Sequence, residues 1–161
     1  MFKKILLFLL LALVVIQFIH PSKNKAEGEQ TAYIGNIYPI PEDVKAILHK
    51  ACNDCHSNNT IYPWYSKVQP VDWWLDNHIK EGKNHLNLDE YTNRNLRYQY
   101  HKLEEIAEQV RKGEMPLDSY TWIHKDAILT QTEKNALIGW ADAIRDSMKL
   151  KYPVDSLTRK R

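Results

Sequence analysis

Hydrophobic positions follow two regimes along this chain. Residues 5–19 form a continuous apolar run, interrupted only by Gln17 and preceded by Lys3 and Lys4. Residues 21–39, PSKNKAEGEQTAYIGNIYP, carry small and polar residues without a helical stripe and read as a tether. From Pro41 onward, apolar residues recur at helical spacing. Val44, Ile47, Leu48 and Ala51 make the face of a first helix whose opening turn holds Glu42 and Asp43, where acids suit the helix dipole. A second helix is predicted from Pro70 through Trp73, Trp74 and His78. A third is predicted from Asp89, with Leu96, Leu103, Ile106, Ala107 and Val110 on one stripe and Gly113 at its end. A short helical turn is expected over residues 117–123. The last helix has the plainest start: Thr130-Gln-Thr-Glu133 is a capping box ahead of Leu137, Trp140, Ala141, Ile144 and Met148. No segment alternates with period two and no repeat is present. The expectation is an all-α domain, residues 41–148, preceded by a segment 1–20 and a linker 21–40 and followed by a basic tail, 149–161.

Charge sharpens this division. The formal charge of +2 conceals a folded region, residues 21–148, with 15 Lys and Arg against 19 Asp and Glu. The positive excess lies at the ends, so no basic face is available for nucleic acid, and that class of partner is set aside. The first segment has the composition of an export signal. It lacks a small-residue cleavage site around residues 17–22 and approaches the length of a short membrane span, which predicts retention as an N-terminal anchor helix.

The chemistry concentrates in KACNDCHSNNTIYPW, residues 50–64, which holds both cysteines of the chain. Cys52, Cys55 and His56 form C-x-x-C-H. Two thiols at this spacing reach the two vinyl groups on one edge of a haem, and the adjacent histidine lies under the iron as its proximal ligand. The competing chemistries fit less well. A closed zinc site needs a second ligand pair, a thioredoxin-like dithiol belongs after a strand in a βαβ unit, and a disulfide across so short a loop stabilises little. Covalent attachment of haem occurs outside the cytoplasmic membrane in bacteria, so export and motif agree. Together they place the domain on the periplasmic side of a bacterial cytoplasmic membrane.

A haem iron also needs a sixth ligand or an open position. Met115, followed by Pro116 in a loop after the third helix, offers a thioether, although methionine also fills ordinary core gaps. His78, four residues after Trp74 and on the same helical face, is the alternative, as a ligand or as a hydrogen-bond partner inside the domain. Trp64, Tyr65 and Trp74 belong to an aromatic segment suited to walling a flat apolar macrocycle from water and hydrogen-bonding a propionate.

CNDCHSNNTIYPWYSKVQPVDWWLDNHIKEGKNHLNLDEY and GEMPLDSYTWIHKDAILTQTEKNALIGWA together resemble the bacterial haem-binding domain family, which is membrane-anchored and similar to monohaem c-type cytochromes. The likeness runs from about residue 5 to residue 145. It implies a cytochrome c-like bundle of about four to five helices around one haem c. It also implies thioethers at Cys52 and Cys55 and iron between His56 and Met115, with His78 still open as the second ligand. The leading functional expectation is an electron carrier working with redox proteins of the cell envelope. The other is a haem-based sensor or peroxidase-like enzyme with a displaceable sixth ligand.

Overall fold

A computed structural model describes residues 1–158. Among them lie eight α-helices and no strand, only an isolated antiparallel bridge between Lys25 and Asn59. Arg159, Lys160 and Arg161 of the expected basic tail fall outside the described residues.

The helices are α1 (Phe2–Ile16), α2 (Glu42–Ala51), α3 (Asn53–His56), α4 (Val71–His85), α5 (Leu96–Lys112), α6 (Asp118–Thr121), α7 (Gln131–Lys151) and α8 (Val154–Leu157). Their ends follow local chemistry. α2 has Glu42 and Asp43 in its first turn and His49 and Lys50 in its last, matching the dipole at both ends. α5 begins seven residues later than the pattern predicts. Asn87 accepts from the Asp89 N–H and holds Leu88–Asn93 as a 3-10 turn, and the Asn95 side chain then caps α5 by accepting from the Tyr98 N–H. Gly113, in the left-handed region at φ 75°, ends α5 as expected.

α5 packs on α7, α2 contacts α7, and α4 lies against α3. The apolar stripes meet in a core that includes Val44, Leu103, Leu137, Ala141 and Met148, with Ile34 and Tyr91 fully buried at its edge. A second, smaller cluster of Tyr65, Leu75 and Ile79 lies beneath α4. The cysteine segment bridges the two: Cys52 packs against the first and Cys55 against the second.

The capping box of α7 is present in full, and Lys50 pairs with Glu133 to join α2 to α7. Lys50 and the Thr130 backbone N–H hold the Glu133 carboxyl down to about 2. Because the folded value lies below the ordinary 4.5, this stabilisation is complete above pH 4.5 and is lost as the pH falls towards about 2. Urea midpoints measured across that range are expected to fall more steeply for the natural chain than for Glu133→Gln. Thr130→Ala should cost about 1 kcal/mol at neutral pH.

Residues 21–40 are held closely to the helical body. Ile34 is fully buried, Asn24 bonds Ser57 and Thr60, and Trp140 donates its indole N–H to the Pro39 carbonyl.

The expected membrane-anchor helix is corrected by the structure. α1 is exposed along its length and has fifteen residues, about 22 Å at 1.5 Å per residue against a hydrocarbon core of about 30 Å. Among the described residues no helix is long and apolar enough to cross a membrane, so neither the anchor nor the placement at the cytoplasmic membrane is supported. The chain leaving the helix is tied to the body. Gln17 accepts from the Gln69 backbone N–H and donates to its carbonyl, while the Ile19 carbonyl accepts from Gln69 Nε2 and Trp73 Nε1.

Candidate functional site

The C-x-x-C-H segment is a tight turn. α2 ends with the Cys52 N–H donating to the Leu48 carbonyl, and the N–H groups of Cys55 and His56 then both donate to the Cys52 carbonyl, at 3.2 and 3.0 Å. Asp54, between the cysteines, fastens the chain on its way out of the turn: its carbonyl accepts from Thr60 Oγ1 at 2.6 Å and its Oδ1 from the Ile61 N–H at 2.9 Å. The Cys52–His56 turn presents both thiols and the imidazole to the same space.

That space is a cavity of about 540 Å³, within the range of small-molecule and cofactor sites. Leu48 and Ala51 of α2, Leu86 and Leu88, Ile106 and Val110 of α5 and Leu137 of α7 give it an apolar wall. Cys52, Cys55, His56, His78 and Met115 all line it. Trp64, Tyr65 and Trp74 do not. Trp64 is 74% exposed, Tyr65 is buried in the smaller cluster with its hydroxyl on His124, and Trp74 is a surface ring set 4.3 Å from the His78 ring. Met148 is buried in the main core, so Met115 is the methionine at the cavity.

Electrostatics separate the possible uses of the thiols. Burial, followed by the neighbouring Cys55, pushes the Cys52 thiol up to about 12; burial and then Asp54 push Cys55 to about 11. Both remain protonated at neutral pH, unlike the activated thiolate of a redox dithiol. Among the described residues no group of three or more His, Cys, Asp or Glu is arranged to hold a metal ion, so the zinc reading lacks its further ligands. His56 is shifted down by burial, which its bond to the Leu86 carbonyl partly offsets. That bond, at 3.0 Å, uses the proton on Nδ1 and so orients the ring.

Met115 enters where α5 ends. Past Gly113, the N–H groups of Glu114 and Met115 both point back to the Gln109 carbonyl, and Pro116 leads into α6. His78 comes from α4, where its Nδ1 bonds the Trp74 carbonyl at 2.9 Å and its Nε2 is left over.

The sequence profile of the haem-binding domain family matches residues 11–143. The chain belongs to that family. No curated relative and no solved structure matches it. As a haem-binding domain protein it has a cavity whose residues fit the group: an apolar wall for the macrocycle, a neutral imidazole oriented by its second nitrogen, a thioether, and two thiols on one turn.

Sequence reasoning missed Gly82. A Cβ there would stand 2.6 Å from the Cys55 carbonyl oxygen and 3.0 Å from Cys55 Cβ, so glycine is what lets α4 lie against the cysteine turn. The available signal was a glycine inside an otherwise regular helix, four residues after His78. Gly82→Ala gains helix propensity but must push α4 from the turn, and the net expectation is a loss of about 1–3 kcal/mol with lower haem content per chain. Urea unfolding and the ratio of haem to protein absorbance check both.

Proposed function

We propose that this haem-binding domain protein carries one haem, attached covalently through Cys52 and Cys55, with the iron held by His56 and Met115, and that it transfers electrons to and from redox proteins. The bound haem supplies a one-electron couple at its iron. Everything else falls to the chain. Cys52 and Cys55 fix the cofactor by one edge. His56 is fixed in tautomer and angle by the Leu86 carbonyl, which also raises its basicity as a ligand. Leu48, Leu86, Ile106, Val110 and Leu137 keep water from the macrocycle and lower the local dielectric. A thioether as second ligand favours the reduced state relative to two nitrogens, which suits a carrier.

The supporting observation is that Cys52, Cys55, His56 and Met115, dispersed over 64 positions of sequence, line one cavity. Production alongside haem-attachment machinery, followed by denaturing extraction and a pyridine haemochrome spectrum, tests it. A two-thioether spectrum retained on the polypeptide is expected; a colourless polypeptide would overturn the covalent reading.

A further inference from the structure

Met115 lies on a segment that leaves α5 at Gly113 and returns to the body at α7. Among the described residues, the side chains of residues 116–127 make two hydrogen bonds to the rest of the protein. In one, Tyr120 of α6 donates its hydroxyl to Asp54 Oδ2 at 2.8 Å. In the other, the Tyr65 hydroxyl meets His124 Nε2 at 2.7 Å. The two are joined, because the His124 ring stacks on the Tyr120 ring at 4.2 Å and 9°, and the His124 N–H donates to the Tyr120 carbonyl.

Asp54 is a particular place to fasten such a segment. It stands between the two cysteines, its Oδ1 is already committed to the Ile61 N–H, and its Oδ2 takes Tyr120. Tyr120 and Asp54 also line the cavity. The segment bearing Met115 is therefore tied to the cysteine turn itself. On the His56/Met115 reading, on which this rests, we propose that the Tyr120 to Asp54 hydrogen bond, with His124 stacked behind it, is a clasp that holds Met115 at the iron. Tyr120 and Asp54 are positioning residues, acting through Met115. Without the clasp, Met115 would be held less firmly at the iron, and an incoming ligand would displace it more readily.

Free imidazole is the probe, titrated into the oxidised haem-loaded protein while the weak far-red band of iron–thioether ligation is followed. Tyr120→Phe keeps the ring stacked on His124 and removes the bond. It should raise the apparent imidazole affinity about tenfold, the size expected of one charge-assisted hydrogen bond. Asp54→Ala should do at least as much, and the double variant no more than Asp54→Ala alone, since both act on one bond. Thr121→Val removes a bond internal to α6, from Thr121 Oγ1 to the Asp118 carbonyl, and should leave the affinity within about twofold.

Two results would overturn the clasp while leaving the ligand assignment intact: Tyr120→Phe within twofold of the natural chain, or Thr121→Val raising affinity as far as Tyr120→Phe, which means general loosening. If Met115→Ala keeps the far-red band, the ligand assignment itself fails and takes the clasp with it.

Discussion

The double variant Cys52→Ala, Cys55→Ala is expected to surrender its haem completely to acidic organic solvent, while the natural chain stays coloured. Cys52 and Cys55 are the only cysteines of the chain, so the proposed thioether attachment depends on them alone. What remains in the double variant is the apolar cavity, the His56 imidazole and the Met115 thioether, enough for reversible binding but not for retention after unfolding. The single variants should each keep one link and give haemochrome spectra shifted to longer wavelength than the two-thioether form. Alanine deletes only a sulfur at two half-buried positions, so folding should survive in all three. Equal extraction of haem from the natural chain and the double variant would end the covalent account.

Met115→Ala is expected to abolish the far-red thioether band and lower the reduction potential by on the order of 0.1 V, a fraction of the roughly 0.8 V that axial ligands command. The reduced variant should also bind carbon monoxide rapidly, because no side chain then competes for the position. His78→Ala should leave the band in place. His78 shares α4 with Gly82, the residue in contact with the cysteine turn, whereas Met115 arrives from beyond α5. Spectroelectrochemical titration of the two variants separates them: loss of the native spectrum in His78→Ala with Met115→Ala unaltered would assign the position to the imidazole.

The stripes that become α2, α5 and α7 are legible in sequence because each packs one face on a common core and obeys helical spacing throughout. The same holds for the Thr130 and Glu133 box, whose partners lie within four residues. Periodicity misplaces the start of α5 because Asn87 and Asn95, each forming a side-chain bond to a backbone N–H two or three residues on, divide what spacing presents as one segment. It misplaces the end of α1 for a different reason: Gln17, Gln69 and Trp73 meet across some fifty positions, and an apolar run carries no trace of a distant partner. At the site, C-x-x-C-H is local and therefore visible. The Leu86 carbonyl on His56 and the close approach at Gly82 depend on α4 folding back on α3, which spacing cannot encode. Composition suggests Trp64 and Trp74 as cavity wall, yet rings of that size also serve as surface.

Asp72 gives the fold a boundary that the hydrophobic pattern does not suggest. Its side chain is 1% exposed and held by His20 at 2.8 Å and Lys23 at 2.7 Å, both supplied by the stretch after α1. Deprived of them, a carboxylate would be stranded at the start of the helix that backs the cysteine turn, a situation that typically costs about 3–5 kcal/mol. The stretch just after α1 is accordingly part of what holds α4 in place, and a version trimmed to Pro41 would lose the His20 and Lys23 contacts to Asp72.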